Sequence, residues 1–223
     1  MTKEEEILQA IKNCKFDAAA SLIIEAGLNI NLKQIPDYEN PLIVAAENGY
    51  TDIVKLLIDS GADVNYKNPL ITAVKNGHTN IVKLLMDAAV ADVNYKDYVD
   101  NALIAAAYEG HTDIVKLLID AGAGVNNTSI RYGTITSALL IAIDGYNSTT
   151  KIMKLLIDAG ADVNYNHIST IDSNMSGKTP LIAAVYMGHT NKFRLLIDAG
   201  ADVNYVDSRG DTALILAAFN DRP

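Results

Sequence analysis

Cysteine is almost absent from this sequence, which has Cys14 alone among 223 residues. A single thiol excludes an intrachain disulfide, so a reducing compartment such as the cytoplasm fits best. Tryptophan is missing, and no apolar run is long enough to span a bilayer. The opening stretch, MTKEEEILQA, is acidic and lacks the apolar core of a secretory signal. We therefore expect a cytoplasmic protein with no membrane partner.

Positive charge is also scarce. The chain has 18 Lys and Arg against 27 Asp and Glu, which gives a formal net charge of −9. Nucleic acids and anionic membrane surfaces attract clusters of lysine and arginine, and the sequence contains no basic run. These observations exclude nucleic acid as the expected partner.

The common catalytic motifs are missing as well. The sequence has no P-loop, no Gly-x-Gly-x-x-Gly, no HExxH and no pair of cysteines. We therefore predict no enzymatic activity, no catalytic residue, no cofactor and no metal site. Three histidines, His78, His111 and His189, follow a glycine at one repeated position. We interpret each of them as supporting its own helix–helix corner rather than binding a metal.

The sequence does contain a strong internal repeat. The phrase IVKLLIDSGADVNY at 53–66 returns in similar form at 81–95, 114–126, 152–165 and 193–205. A second phrase alternates with it: an Asn, Ser or Thr suited to capping a helix, then an Ala-rich apolar stripe, as in NPLIVAAENG and TPLIAAVYMG. Each unit is therefore predicted to be a short inner helix, a tight corner, a longer outer helix and an extended connecting segment.

These two phrases, in fixed order and at a spacing near 33 residues, resemble the ankyrin repeat family. The segment VNYVDSRGDTALILAA at 203–218 follows the family's loop and first-helix pattern position by position. The resemblance implies an all-α fold, an ankyrin-repeat solenoid of stacked helix–turn–helix units with β-hairpin-like fingers. It divides a single domain, 1–223, into a capping unit 4–31, a repeat 32–64, a repeat with a shortened finger 65–93, a repeat 94–125, a repeat with enlarged finger and corner 126–163, a repeat with an enlarged finger 164–203 and an incomplete last repeat 204–223.

The chain departs from the family pattern in three ways. Apolar residues replace the usual histidine of the T-P-L-H motif, so more apolar packing is expected there. In the shortened finger, residues 66–69 must turn almost directly into a helix. The last repeat has one helix, so we expect either a longer array or another element over the apolar edge around Leu214 and Ala217. The histidine replacements are Ile43, Ile71, Ile104, Leu140, Ile182 and Ile215.

The end of the inner helix varies most between units, carrying an aromatic residue in three units and a charged residue in three others. In ankyrin proteins this position and the finger tips line the concave groove. Aromatic residues there bury a large area at little entropic cost, as binding anchors do. The predicted partner-binding residues are Glu47, Lys75, Tyr108, Glu109, Asp144, Tyr186, Met187 and Phe219.

Four copies of the VN phrase end in tyrosine, at the base of the finger. Two interpretations are open: a ladder of rings stacked between fingers, or contact with a partner. The possible finger contacts are Tyr66, Tyr95, Tyr165, Tyr205 and Arg209.

The asparagine of the VN phrase is expected to secure its own turn, because asparagine bonds its local backbone and tolerates left-handed dihedral angles. The family resemblance also implies that these asparagines are possible targets of asparaginyl hydroxylation. They are Asn65, Asn94, Asn126, Asn164 and Asn204.

Together these features predict a non-catalytic protein–protein interaction scaffold, which binds a partner protein in the concave groove of finger loops and inner helices. One alternative is the targeting or substrate-recognition arm of a larger enzyme or secreted effector that continues beyond residue 223 and acts in a host-cell cytoplasm. A second alternative is a self-associating structural array. We expect a monomer, with end-to-end association through the open C-terminal edge as the competing possibility.

Overall fold

The computed structural model describes residues 3–13, 15–26, 40–88, 92–95, 101–131, 134–144, 149–166, 168–169 and 177–219. The chain forms two compact units, Met1–Tyr95 and Lys96–Pro223. Cys14 and the corner residues 145–148 lie outside the described residues. No helix in this part of the chain has both the length and the apolar character needed to cross a membrane.

The first unit is a stack of three helical pairs. Its helices, in chain order, are α1 (Lys3–Lys12), α2 (Phe16–Ala26), α3 (Pro41–Asn48), α4 (Thr51–Asp59), α5 (Pro69–Lys75) and α6 (Thr79–Asp87). The inner helices α1, α3 and α5 contact one another in succession, and so do the outer helices α2, α4 and α6.

The second unit has the same arrangement and ends on an inner helix. Its helices are α7 (Ala102–Glu109), α8 (Thr112–Asp120), α9 (Ala138–Asp144), α10 (Thr150–Asp158), α11 (Pro180–Tyr186), α12 (Thr190–Asp198) and α13 (Ala213–Phe219). The inner helices α7, α9, α11 and α13 contact one another in succession, and so do the outer helices α8, α10 and α12.

Polar caps begin the inner helices, as the sequence predicts. The side-chain oxygen of Asn40 accepts hydrogen bonds from the backbone N–H groups of Leu42 at 2.9 Å and Ile43 at 3.3 Å. These bonds satisfy donors that have no partner within the helix. The inner helices after α3 are capped in the same way, by Asn68, Asn101, Ser137, Thr179 and Thr212.

Glycine ends the inner helices α3 and α7 by adopting a left-handed conformation. Gly49 has φ +79°, and its N–H donates to the carbonyl of Ala45 within α3. Gly110 has φ +80° at the end of α7. A side chain disfavours this conformation, which explains why glycine recurs at the tight corner.

Small and aliphatic residues fill the space between the helices. Ala45 and Ala73 are completely buried in the inner helices, which allows those helices to approach closely. Ile71, Ile104 and Ile182, which replace the family histidine, are also buried. The predicted gain of apolar packing at this position is confirmed for these three residues and for Leu140, which is also buried. Ile43 is half-buried, and the prediction is wrong for Ile215, which is 49% exposed in α13.

The shortened finger of the first unit enters its helix through a strained turn. Lys67 and Asn68 have φ values of +54° and +55°, a backbone conformation that residues other than glycine rarely adopt. Asn68 tolerates it and also caps α5 by accepting from the N–H of Ile71 at 3.1 Å. The predicted direct entry from finger to helix is therefore confirmed.

The two enlarged fingers of the second unit form a small antiparallel sheet. Strands β1 (Thr128–Arg131) and β2 (Thr134–Ser137) make a hairpin in which Ile130 faces Ile135. The short strand β3 (Ile168–Ser169) from the next finger pairs with β2, with Ile168 opposite Ile135. The predicted hairpin-like finger is confirmed, and the pairing between two fingers adds a link that the sequence does not reveal.

Candidate functional site

The second unit presents a row of exposed side chains at the ends of its inner helices. The inner helices α7, α9, α11 and α13 lie in succession, and their last turns carry Tyr108, Asp144, Tyr186 and Phe219, respectively. Tyr108 is 36% exposed, Tyr186 is 48% exposed and Phe219 is 88% exposed. The structure therefore places Tyr186 and Phe219 on adjacent helices and Tyr108 beyond α9, each with its side chain accessible.

The remaining predicted groove residues occupy comparable positions. Glu47 and Lys75 are exposed near the ends of α3 and α5, which are neighbours in the first unit. Glu109 and Met187 are half-buried beside the exposed tyrosines of the second unit. The residue at the equivalent position is thus exposed in each of the six repeats, whether it is aromatic or charged.

A buried lysine fixes one of the exposed rings. Lys178 is only 3% exposed, and its Nζ lies 3.8 Å from the centre of the Tyr186 ring. A desolvated ammonium group over an aromatic face is attracted by the ring's electrons, with an interaction of about 1–2 kcal/mol. Sequence reasoning missed Lys178, whose only signal was a basic residue directly before the cap residue Thr179.

Lys192 is a second lysine whose contacts the sequence pattern does not reveal. It stands where other outer helices have a buried isoleucine such as Ile152. Its ammonium donates to the carbonyl oxygens of Ala142 at 2.9 Å and Ile143 at 3.0 Å, at the C-terminal end of α9. Burial lowers the pKa of Lys192, while the negative charge of Asp144 acts to raise it.

The finger tyrosines do not form a stack in the described residues. Tyr66 and Tyr165 are half-buried and Tyr95 is exposed. Burial raises the pKa of Tyr165 above its usual 10.0. The hydroxyl of Tyr205 instead accepts a hydrogen bond of 2.8 Å from the amide of Asn166.

The finger tip of the last repeat is closed by its own hydrogen bonds. Asp207 is buried, and its carboxylate accepts from the backbone N–H groups of Arg209 and Asp211, both at 2.9 Å. The side chain of Arg209 is exposed at this tip. Arg209 is therefore accessible, as a finger contact must be.

The prediction that each VN asparagine secures its own turn is wrong where the contacts are described. The amide oxygen of Asn126 accepts from the N–H of Asp162 at 2.8 Å, and its amide nitrogen donates to the carbonyl of Gly160 at 3.0 Å. Asn164 makes the same pair of bonds to Asp202 and Gly200. These asparagines therefore bridge to the turn of the next repeat.

Aspartate secures the turn instead. In four copies its carboxylate accepts a hydrogen bond of 2.9 Å from the backbone N–H two residues later, which is the asparagine. The four aspartates are Asp63, Asp92, Asp162 and Asp202. A single sequence could not separate these roles, because aspartate and asparagine both suit local turns.

The interpretation of His78 needs a similar correction. The backbone N–H of His78 does bond its own inner helix, at the carbonyl of Ala73, but Tyr50 makes the same bond at the first corner. The side chain of His78 reaches back to the preceding repeat, where Nε2 lies 2.9 Å from the carbonyl oxygen of Glu47. Its ring also covers Gly49. His78 therefore supports its neighbour's corner.

Among the described residues, no three His, Cys, Asp or Glu side chains lie close enough together to hold a metal ion.

The comparisons with known proteins agree with this architecture. The family model described as ankyrin repeats (3 copies) matches residues 7–97, 65–129, 92–167 and 139–223. The chain belongs to the ankyrin repeat family. Its predicted fold class, an all-α ankyrin-repeat solenoid with hairpin-like fingers, is confirmed.

Two solved ankyrin repeat domains resemble the chain in structure. The ankyrin repeat domain of Bcl-3, described as a unique member of the IkappaB protein family, has a TM-score of 0.80 and 22% sequence identity. The similarity covers 95% of this chain and 92% of that domain. The human ASB11 ankyrin repeat domain has a TM-score of 0.74 and 24% identity, over 94% of this chain and 90% of that domain. No curated protein sequence matches the chain.

Ankyrin repeat domains generally mediate protein–protein interaction. At this level of sequence identity, the two solved domains establish the fold and do not identify a partner.

Proposed function

We propose that this ankyrin repeat chain is a non-catalytic recognition module, whose partner is a protein that binds across the inner-helix ends of the second unit. The contact surface is the row formed by Tyr108, Asp144, Tyr186 and Phe219, with Met187 beside it. In the first unit, considered by itself, Glu47 and Lys75 offer charged contacts at the equivalent position. The finger residues flank this surface.

One observation carries the proposal: three of the four neighbouring inner helices α7, α9, α11 and α13 expose an aromatic ring at the equivalent position, and the fourth exposes Asp144. The fold does not need an aromatic residue at this position, because Asp144 and Lys75 occupy it in other repeats. Aromatic side chains bury a large area and lose little conformational entropy, so they dominate the energy of many interfaces. Exposed rings in a row therefore favour binding over packing.

The contact between Lys178 and Tyr186 supports the same conclusion. A ring held in place before binding loses less freedom on association, which improves affinity without any new contact. The lysine is almost inaccessible, so its effect on a partner operates through the position of Tyr186. Lys178 is thus a positioning residue, and Tyr186 is the residue that touches the partner.

The surface also indicates the chemistry of the partner. Asp144 and Glu109 present negative charge among the aromatic rings, on a chain of net charge −9. The two lysines nearby are engaged within the chain: Lys178 is 3% exposed, and Lys192 donates to the carbonyls of Ala142 and Ile143. Complementary potentials speed association and exclude wrong partners. We therefore propose a partner whose contact surface combines apolar side chains with lysine or arginine.

Photo-crosslinking from single positions tests this proposal. A photoreactive amino acid is placed at position 108 or 186 of the full chain, and the chain is irradiated in lysate of the native cells. Matched controls carry the same group at Lys116 or Lys154, which are exposed on the outer helices α8 and α10. We expect positions 108 and 186 to crosslink the same polypeptide, and the control positions to leave it unlabelled.

The double variant Tyr108→Ala/Tyr186→Ala measures how much the two rings contribute to binding, through the amount of partner captured. Each anchor is worth about 1–3 kcal/mol if it is a hot spot, so the captured amount should fall by at least about tenfold. Circular dichroism checks that the variant remains folded. Unchanged capture by a folded double variant, or equal crosslinking from the outer helices, would show that the binding surface lies elsewhere.

A further inference from the structure

Three successive inner helices of the second unit present an alternating order of side chains. Tyr108 in α7, Asp144 in α9 and Tyr186 in α11 are all exposed at the equivalent position. The next inner helix packs beside each of them, α9 against α7, α11 against α9 and α13 against α11. Their exposure therefore does not come from a missing neighbour. The order is aromatic, acidic, aromatic, so a partner segment can match it in either chain direction.

The spacing of this row restricts the conformation of a segment that lies along it. Packed helices are about 8–10 Å apart, and side chains at equivalent positions recur at about that interval. In a β-strand, side chains on one face recur about every 6.6–6.8 Å. In an α-helix, one turn rises about 5.4 Å and two turns about 10.8 Å. A polyproline II segment repeats every three residues, or about 9.3 Å, so its spacing fits the row best.

The two tyrosines suit such a segment chemically. Aromatic-lined surfaces bind polyproline II segments, because proline and aliphatic side chains pack on the rings. One face of the Tyr186 ring is covered by Lys178, whose Nζ lies 3.8 Å from the ring centre, and 48% of the side chain remains exposed. A polyproline II segment also has little conformational freedom to lose on binding. Both partners are thus ordered before they meet.

The acidic residue between the tyrosines favours a basic side chain at the centre of the segment. A cavity of about 30 Å³ lies beside Asp144 and is too small for a ring; Met187 and Lys178 also line it. Because the ammonium of Lys178 is buried there, an incoming cation stays at the exposed carboxylate of Asp144 and does not enter the cavity. Lys192 also interacts with Asp144, but its ammonium donates to the carbonyls that end α9. A lysine or arginine stem can pack along the half-buried Met187.

We propose that the contact surface of this chain binds a proline-rich segment of the partner in the polyproline II conformation. The segment carries lysine or arginine at its centre and an apolar residue three positions to either side. The basic side chain pairs with Asp144, and the apolar residues pack on Tyr108 and Tyr186. This inference rests on the proposed function, because it uses the same surface, and it specifies the conformation and the sequence pattern of the bound segment.

Peptide binding to the full chain tests the inference. The probe is a fluorescein-labelled peptide of sequence PPLPPRPPLPP, which places leucine, arginine and leucine three residues apart. The matched control, PPLPPPRPLPP, has the same composition, but its arginine is moved by one position and leaves the face that carries the leucines. Fluorescence anisotropy should show saturable binding of the first peptide at one per chain. The control should bind at least about fivefold more weakly.

Charge exchange then locates the bound arginine. Asp144→Lys should weaken the arginine peptide by about fivefold and strengthen a peptide with glutamate in its place, PPLPPEPPLPP, by a similar factor. Asp144→Asn, which adds no positive charge near Lys192, should weaken the arginine peptide in the same direction. Asp120→Lys is the matched control, because Asp120 is an exposed aspartate that ends the outer helix α8. It should change binding of either peptide by less than about twofold. Circular dichroism checks the folding of each variant.

Four outcomes would overturn the inference. They are an absence of saturable binding up to about 1 mM peptide, equal binding of the displaced-arginine control, and equal effects of Asp144→Lys and Asp120→Lys. The fourth is tighter binding of a stapled helical peptide with the same three side chains seven residues apart, which would assign a helix to the surface.

Photo-crosslinking from positions 108 and 186 separates this inference from the proposed function. If a polypeptide is crosslinked there while the proline-rich peptide fails to bind, the segment is of another kind and the recognition surface stands. If crosslinking from these positions equals that from the outer helices, the proposed function fails together with the inference.

Discussion

Two inner-helix corners of this chain meet the same requirement with different residues. At the regular corner after α3, the left-handed Gly49 turns the chain and His78 from the next repeat bonds the carbonyl of Glu47. At the enlarged corner after α9, Lys192 from the next repeat bonds the carbonyls of Ala142 and Ile143. In both cases the following repeat satisfies carbonyl groups that a helix end leaves without partners. A corner can therefore change length if the donor changes with it.

The largest effect is expected at Gly49. Gly49→Ala places a Cβ in a conformation with φ +79° and 2.8 Å from Cε1 of His78. The left-handed conformation costs about 1–2 kcal/mol, and displacement of the histidine costs about 1 kcal/mol more. We expect the free energy of unfolding, measured in urea, to fall by about 2–3 kcal/mol.

Gly61→Ala is the matched control, because Gly61 has φ +87° and no atom within 4 Å of the added Cβ. It should lose only the conformational part, about 1–2 kcal/mol. Equal losses at the two positions would contradict a role for the His78 ring in the corner.

The next effect is the coupling between Gly49 and His78. His78→Ala removes the donor to Glu47 and should lower the free energy of unfolding by about 1 kcal/mol. In the double variant with Gly49→Ala, the methyl group no longer meets a ring. The double variant should therefore lose less stability than the sum of the two single-variant losses, by at least about 0.5 kcal/mol. Strict additivity would show that the ring and the glycine act independently.

The variant Lys192→Met tests the contribution of the donor at the corner after α9. The variant keeps the length of the side chain and removes both bonds to the end of α9, so we expect a loss of about 1 kcal/mol in the free energy of unfolding. Lys154→Met, on the exposed side of α10, serves as the control and should change stability by less than about 0.5 kcal/mol. A loss no greater than that of the control would mean that the two hydrogen bonds contribute nothing to stability.

The smallest effect is a pH dependence specific to Lys192. Burial lowers its pKa in the folded chain below 10.5, against the weaker opposing effect of Asp144, so the unfolded chain holds the proton more tightly. The stability of the wild type should therefore rise with pH through the interval below 10.5, and fall as pH decreases through the lowered pKa. A neutral amine still has two N–H donors for its two carbonyls.

The test compares the wild type with Lys192→Met in urea across this interval, so that the titration of tyrosines, which both chains share, cancels. The advantage of the wild type should increase as pH rises. A decreasing advantage would reverse the assigned direction of the pKa shift.

Local chemistry accounts for what the sequence could predict. Helix starts at Asn40 and Thr179, the left-handed Gly49 and the strained turn at Asn68 each depend on residues within a few positions. The apolar spacing of the outer helices also determines which side is buried, as Ile114 and Leu118 show. These features are encoded within one repeat, so reading one repeat is enough to find them.

The contacts that the sequence could not predict join one repeat to another. His78 and Asn126 bind partners 31 and 36 residues away, and both were assigned to their own turns. Lys178 was overlooked because its effect depends on the position of a ring on another element. The sequence shows only that Lys192 interrupts the apolar pattern of the outer helices, because its role depends on the carbonyls of Ala142 and Ile143 in α9. Tertiary geometry decides these roles, and residue type alone does not.

The bridging asparagines also bear on how this protein ages chemically. Spontaneous deamidation requires the backbone nitrogen of the next residue to attack the asparagine side-chain carbonyl, so the amide must rotate freely. In Asn126 and Asn164 both ends of the amide are held by the next repeat. The folded chain should therefore lose these two amides far more slowly than the unfolded chain. Once Asn126 became aspartate, its carboxylate would face the carbonyl of Gly160 with no N–H group to donate. The contact between the two repeats would then be weaker.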